Sequence, residues 1–327
     1  MSLNLSKDSF IIVTGGAGFI GSNLIEYLNE IGISNIIIVD NLAKIRKNKI
    51  LSKCNFKFSI DYTLDHSLIE NKIKNFQINT IFHLGADTNV LNDDINKMLK
   101  TNFNSSIFWL EMSKKYSCDF IYASSSAIYG SSKNCSVSKG HSNPLNEYAL
   151  SKSFFDDYIR LTINNNLVNE KVIGYRFFNV FGPGENDKNQ NASIPFRFFE
   201  FMIKDGCIEL FNKNILRDYV YVKDLVKILF LTKTKNIKNG IYNLGSGEVT
   251  SHKKIANIVL SRLQSSKMKL HSKNLKILEV EIPDHLKNKF QFYTKAKELE
   301  SWIKNSTKRS REKIEVYIDY LINDFSV

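Results

Sequence analysis

Short apolar runs recur along the first half of the chain, most of them followed by glycine, serine or an acid. They are Phe10–Thr14, Asn35–Val39, Phe56–Ile60, Thr80–Leu84, Phe120–Ala123 and Val172–Phe177. Helical patterns separate most of them. Ser22–Ile31 carries Leu24, Ile25, Leu28 and Ile31 on one side, the spacing of a helix that buries one face. Strands that are apolar throughout, rather than alternating, are buried on both faces. Their alternation with helices predicts a parallel sheet covered on both sides. After about Asn179 the pattern changes. Phe181–Asn191 is a loop of Gly, Pro and Asn, the later segments are shorter and more mixed, and Gly240–Leu244 reads as a strand that returns to the sheet. The expected fold is α/β: a doubly wound parallel sheet of the Rossmann type over 1–178, with a returning segment near 215–245, and a smaller mixed α/β lobe over 179–327.

Composition narrows the function classes. The formal net charge of +12 admits a binder of nucleic acid or of an anionic surface. The lysines, however, are scattered among Asn and Ile, and the densest group is only Lys44, Arg46, Lys47 and Lys49. That is the pattern of a solvated basic surface, which also suits an anionic substrate such as a diphosphate. Cys54, Cys118, Cys135 and Cys207 form no CxxC pair and no His cluster has zinc-site spacing, so neither a disulfide framework nor a metal is expected. No apolar run reaches membrane-spanning length and the N-terminus has no export pattern. A cytoplasmic enzyme without nucleic-acid or membrane partners is the expectation.

The first run ends in Thr14-Gly15-Gly16-Ala17-Gly18-Phe19-Ile20-Gly21 and passes into a helix. Gly15, Gly18 and Gly21 meet three demands of a dinucleotide site: a tight turn, close approach of backbone to pyrophosphate, and close helix–strand packing. The helix N-terminus offers N–H groups and partial positive charge to the phosphates. Asp40 closes the second strand 19 residues beyond Gly21, where a carboxylate accepts hydrogen bonds from the adenosine ribose. It favours NAD over NADP, although Lys44 and Arg46 could accommodate a 2′-phosphate. Asp61 reads either as an adenine contact or as a solvated turn residue. Gly85 and Ala86 are small enough for a cofactor to lie across the strand ends, and His83 reads as a strand-end histidine rather than a catalyst. Phe19, Ile20, Asn41, Leu84 and Asn102 complete the candidate cofactor residues.

Tyr148 and Lys152 stand at i and i+4, on one face of a helix. Hydride chemistry at a carbinol needs a base, and a tyrosinate serves if its pKa falls from about 10. A neighbouring ammonium and the cationic nicotinamide would both lower it. Ser124-Ser125-Ser126 at the end of the fifth strand supplies a hydroxyl for the substrate oxygen.

With these residues in place the chain resembles the extended short-chain dehydrogenase/reductase family from about Ile11 to Leu299. The motifs are TGGAGFIG at Thr14–Gly21, YASSSAIYG at Tyr122–Gly130, YALSK at Tyr148–Lys152, RFFNVFGP at Arg176–Pro183, RDYVYVKD at Arg217–Asp224 and YNLGSG at Tyr242–Gly247. The resemblance implies a sugar-nucleotide enzyme, with Ser125 as the catalytic hydroxyl, Tyr148 as acid/base and Lys152 as its partner, also on the cofactor. It further implies Ser126 at the substrate, and Asn179 and Arg217 on its diphosphate, as suits arginine's affinity for phosphate.

Within the family the likeness is to enzymes of nucleotide-activated heptoses. It lies in PLNEYALSK, in NVFGPGENDKNQNAS, and in PDHLKNKFQFYTKAKEL at Pro283–Leu299. It places a second base at Lys188. Dehydratases of the family carry a carboxylate where Ser126 and Ala127 stand, which argues against dehydration. Leu84 and the stretch Ala86–Asp94 depart from the 6-epimerase pattern, and Asp40 favours NAD, whereas those epimerases are typically NADP enzymes. The leading expectation is therefore NAD-dependent oxidation at C4 of GDP-glycero-manno-heptose to a 4-keto sugar, in capsule or surface polysaccharide synthesis. The alternatives are 6-epimerisation of ADP-glycero-manno-heptose and 4-epimerisation of another sugar nucleotide. A homodimer is the family expectation, with the Tyr148–Ile163 helix (Phe154, Phe155, Tyr158) as a candidate interface.

Overall fold

The computed structural model describes residues 9–89, 94–138, 142–188, 191–266, 268, 274–284, 291–310 and 312–325. The chain gathers into two compact units. The first takes the residues through Ile128, then Asn146–Arg176 and Val226–Tyr242; the second takes Tyr129–Leu145, Phe177–Leu225 and the residues from Asn243 on. Tyr129–Leu145, which the sequence pattern places in the first unit, groups with the second. The reason is burial: Tyr129 and Cys135 pack with Phe178 and Ala296.

The first unit is built on a seven-stranded sheet. Its strands are β1 (Ser9–Thr14), β2 (Ile36–Asp40), β3 (Phe58–Asp61), β4 (Gln77–His83), β5 (Asp119–Ser125), β6 (Val172–Phe177) and β11 (Gly240–Leu244), in the spatial order β11-β6-β5-β4-β1-β2-β3. The pairs β1–β2, β1–β4, β2–β3 and β4–β5 are all parallel. From β1 the chain moves outward through β2 to β3, then returns to the other side of β1 and moves outward again through β4, β5 and β6. The order of strands therefore reverses between β1 and β4, the switch point at which loops diverge and a dinucleotide fits. Register aligns the strand ends there, pairing Thr14 with Val39 and with His83, and Asp40 with Asp61.

The connecting helices are α1 (Phe19–Glu30), α2 (Leu42–Lys47), α3 (His66–Ile73), α4 (Ile95–Met98), α5 (Ser105–Lys115) and α6 (Glu147–Asn164). The core they close includes Ile12, Ile37, Ile81, Phe120, Trp109 and Phe155. Helix α1 begins three residues before the expected start, so Phe19, Ile20 and Gly21 form its first turn. It ends before Ile31, which is exposed. Between α4 and α5, Leu99–Asn104 is π-helical, and the widened turn rotates Asn102 into the interior. On α6, Phe155 is buried, Tyr158 stacks on it, and Phe154 and Leu161 remain exposed.

The second unit holds three two-stranded pairs. They are β7 (Asn179–Phe181) with β10 (Tyr219–Tyr221), β8 (Cys207–Phe211) with β13 (Lys276–Val280), and β9 (Leu216–Arg217) with β12 (Thr250–Ser251). Helices α7 (Ile194–Asp205) and α9 (His252–Ser265) and the helix Lys313–Phe325 share a core containing Phe196, Phe199, Met202, Val259, Tyr317 and Leu321. Helix α8 (Val222–Leu231) leads the chain back to β11. Among the described residues no helix is long and apolar enough to cross a membrane.

Candidate active site

The glycine turn sits at the switch point with its backbone pressed against the loop that follows β4. Gly15 has φ +67°, and a Cβ there would come within 2.6 Å of the Gly85 backbone. A Cβ on Gly21 would stand 2.1 Å from the Gly15 carbonyl oxygen. Helix α1 starts without a side-chain cap at Gly18 and without an acid in its first turn, so its positive end is left for an external anion. The Asp40 carboxylate is aimed by two backbone donors, the N–H of Ala17 at 2.9 Å and of Asn41 at 2.6 Å. Each oxygen keeps a lone pair for a ribose hydroxyl. These features fit a dinucleotide. Gly15→Ala is expected to weaken NAD binding by about tenfold or more. The left-handed backbone alone costs about 1–2 kcal/mol with a Cβ, before the collision with Gly85 is counted. Titration calorimetry checks it.

Three expected cofactor residues also make hydrogen bonds within the fold through their side chains. Asn41 caps α2 by accepting from the N–H groups of Ala43 and Lys44. Asn102 accepts from the Asp87 N–H and donates to the Asp87 carbonyl and to Ser151 Oγ, so it holds the loop after β4 to α6 rather than offering its amide outward. Asp61 spends Oδ1 on the N–H and hydroxyl of Thr63, which lowers its pKa and leaves the other oxygen for a ligand. Leu84 and Gly85 are bound to Thr14 by their N–H groups, with Ala86 next in line.

His83 is structural. Ser106 Oγ donates to the Asn102 carbonyl, so it accepts from His83 Nε2 at 2.9 Å. The neutral ring therefore accepts at Nδ1 from Thr14 Oγ1, 2.8 Å away, and Thr14 accepts in turn from Gly85 N–H. Burial, and secondarily the charge of Lys152, push its pKa down to about 3, so it stays neutral. This chain of bonds ties the glycine turn to the π-helical stretch.

The three residues expected to carry the chemistry come together in the first unit. Asn146 caps α6 by accepting from Ala149 N–H and so fixes the start of the helix that carries Tyr148 and Lys152. Ser125, at the end of β5, is hydrogen-bonded to the Tyr148 hydroxyl and accepts from Ala127 N–H at 3.1 Å. Ser126, buried, begins the turn that follows. The buried Lys152 donates to the Ala123 carbonyl at 2.9 Å. Its pKa is drawn down to about 8 by burial and held up by Asp156. One expectation is corrected here. The Tyr148 hydroxyl is pushed above its ordinary pKa by loss of water, and the Ser125 hydrogen bond only partly offsets this. The protein alone does not make it acidic.

The second unit carries Asn179, Lys188 and Arg217. The Asn179 amide donates to the Asp218 carbonyl and Thr294 Oγ1, leaving its oxygen to accept. Arg217 is buried, and its guanidinium reaches the side-chain and backbone oxygens of Gln291; Gln291 in turn donates to the Gly130 carbonyl. Lys188 Nζ lies 3.6 Å from Glu185 Oε2. Glu185 is fully buried and also accepts from the N–H of Gly182, the N–H and Oγ of Ser193, and the Tyr317 hydroxyl. Sequence reasoning misses Glu185 and Gln291. Glu185 has a signal, an acid three residues before the lysine in a Gly/Pro turn; Gln291 has none. Asn189 and Gln190 of the Phe181–Asn191 loop, Val90–Asp93 of the Ala86–Asp94 stretch and His285–Phe290 of the C-terminal likeness lie outside the described residues.

With this geometry in view, the model of the NAD dependent epimerase/dehydratase family matches residues 11–245. The chain belongs to that family. It is thus an NAD-dependent enzyme, with the cofactor that Asp40 favours. An ADP-L-glycero-D-manno-heptose-6-epimerase of Brachyspira hyodysenteriae is 36% identical over 88% of this chain and 88% of its own. One of Thiobacillus denitrificans is 33% identical over 88% and 90%. The crystal structure of the Helicobacter pylori enzyme of the same name superposes with a TM-score of 0.74 at 25% identity, covering 98% of each chain. These family members bear the name of the alternative reading, and the comparisons give no support to C4 oxidation of a GDP-heptose.

Proposed function

We propose that this enzyme inverts C6 of an ADP-linked glycero-manno-heptose, with no net consumption of NAD. Identity to two enzymes of that name over 88% of the chain supports the reading. The structural observation that goes with it is Lys188, held 3.6 Å from the buried Glu185 carboxylate. A simple oxidation needs one acid/base. An inversion turns the other face of the ketone to the cofactor and leaves room for a second proton carrier, and Lys188 fills that place by its position after Asn179-Val180-Phe181-Gly182-Pro183.

Bound NAD supplies the chemistry of taking a hydride from the carbinol carbon and returning it. In this reading Tyr148 takes the C6 hydroxyl proton, and the carbon becomes a ketone. Ser125 positions the oxygen and Lys152 keeps a cation beside the phenol. After the keto sugar presents its other face, Lys188 donates the proton to the oxygen as the C6–H bond re-forms with opposite configuration. Arg217 holds the diphosphate, and the Asn179 oxygen, which can only accept, takes a hydroxyl of the substrate. The sugar loses and regains one proton and one hydride, and solvent carries the proton from Tyr148 back to Lys188 to close the cycle.

The test is product analysis with purified protein, NAD and ADP-D-glycero-D-manno-heptose, following NADH absorbance and proton NMR together. Inversion at C6 without accumulated NADH is expected. Accumulated NADH with a 4-keto product from the GDP-linked sugar would overturn the proposal and restore the dehydrogenase.

A further inference from the structure

One turn along α6 from Lys152 stands Asp156, whose side chain is 0% exposed. Oδ1 accepts from the Tyr122 hydroxyl at 2.9 Å and Oδ2 from Arg176 Nε at 2.8 Å, with Arg176 itself only 1% exposed. Three elements meet at this carboxylate: α6, β5 through Tyr122 and β6 through Arg176. The fold makes room for the arrangement. A Cβ on Gly174, in the middle of β6, would lie 2.3 Å from the Tyr122 ring and 2.4 Å from its hydroxyl. Glycine weakens a strand interior, yet only glycine lets this phenol through to the acid.

A buried Asp–Arg pair can be purely architectural. What separates this one is the cation one turn away on the same helix. Lys152 is buried with a single backbone carbonyl as its hydrogen-bond acceptor. His83 from β4 also acts on Lys152, and Arg176 from β6 and Arg160 from α6 stand with Asp156 around Tyr122. The histidine is neutral and the two arginines are positive. Asp156 is the acid that acts on Lys152.

We propose that Asp156 is a positioning residue for Lys152: gripped by Tyr122 and Arg176, its carboxylate holds the Lys152 side chain as a fixed ammonium beside Tyr148. Burial strips water from a cation and favours its neutral form; an immovable anion at i+4 opposes this. The role is independent of which sugar nucleotide is turned over, so it stands or falls apart from the heptose reading.

The experiment is an NMR titration of the Lys152 ammonium in the substrate-free protein, assigned by the signal lost in Lys152→Arg. The pH profile of kcat is measured alongside. Asp156→Asn keeps the shape and removes the charge. It is expected to move the Lys152 midpoint about one unit or more below the native value, a tenfold loss of ammonium above it. The alkaline limb of kcat should follow, with KM for the sugar nucleotide little changed. Tyr122→Phe removes one hydrogen bond and keeps the charge, so midpoint and limb should stay in place. A uniform fall in kcat with both unmoved, or equal shifts in the two variants, would mean an architectural pair and overturn the proposal. If Asp156→Asn does not fold, Asp156→Glu decides, because it keeps the charge and moves the carboxylate by one carbon: a shifted Lys152 midpoint with the alkaline limb of kcat following it supports the proposal, and an unmoved midpoint and limb would equally overturn it.

Discussion

Tyr148→Phe is expected to lower turnover by roughly 10² to 10⁴, the range that a positioned proton carrier contributes, while the affinity for NAD is nearly unchanged. The phenolic oxygen is hydrogen-bonded to Ser125, the residue expected to hold the substrate oxygen, and is not used elsewhere among the described contacts of the fold. Removing it therefore withdraws the proton carrier without unpicking the core, which is built around Phe120, Phe155 and their neighbours. The pH dependence carries the diagnostic sign. In the protein itself the Tyr148 hydroxyl lies above its ordinary pKa, so near neutrality it is protonated. Removal of the carbinol proton needs the phenolate, and the oxidative rate should climb as pH rises. Lys152, near 8, sets the upper bound, because above it the ammonium that favours the phenolate is lost. Single-turnover rates of NADH formation across this range measure both limbs. The phenylalanine variant should lose the rising limb together with its activity. A variant that kept the native profile at reduced amplitude would remove Tyr148 from the proton path.

Much of this site is legible in the amino-acid sequence. The apolar runs mark the strands because a parallel sheet buried on both faces needs side chains that are apolar in succession. β6 is buried along its whole length. The glycine turn is legible because Gly15 and Gly21 face contacts that no other residue tolerates. What stays hidden is where polar groups spend their hydrogen bonds. Asn41 and Asn102 look like cofactor contacts in the sequence, and the structure shows them also capping a helix and tying a loop. Tyr122 sits in an apolar run and reads as core, yet its hydroxyl reaches Asp156 past Gly174. Asp156 at i+4 from Lys152 has the spacing of a helix pair, but spacing does not tell a solvated face from a buried one. The grouping of Tyr129–Leu145 with the second unit depends on contacts with Phe178 and Ala296 far along the chain, which no local pattern records.

Lys188→Ala should abolish inversion, again by roughly 10² to 10⁴, and spare the oxidative half of the cycle. The variant leaves the buried anchor of its loop in place. The Lys188 ion pair with Glu185 is long, at 3.6 Å, and the lysine is partly exposed. Without it Glu185 still accepts from Gly182 N–H, from both donors of Ser193 and from the Tyr317 hydroxyl, so the loop keeps its anchor. Mixing stoichiometric enzyme, NAD and the ADP-linked heptose should still give a transient of NADH, because Tyr148, Ser125 and Lys152 belong to the other unit and are untouched. The keto sugar, lacking its second proton donor, should then return by the face it left, regenerating substrate. Stopped-flow absorbance and the proton NMR of C6 separate the two halves. Transient and inversion both intact would remove Lys188 from the chemistry. Loss of both would make it a binding residue. Only loss of inversion alone gives this lysine the second face of the sugar.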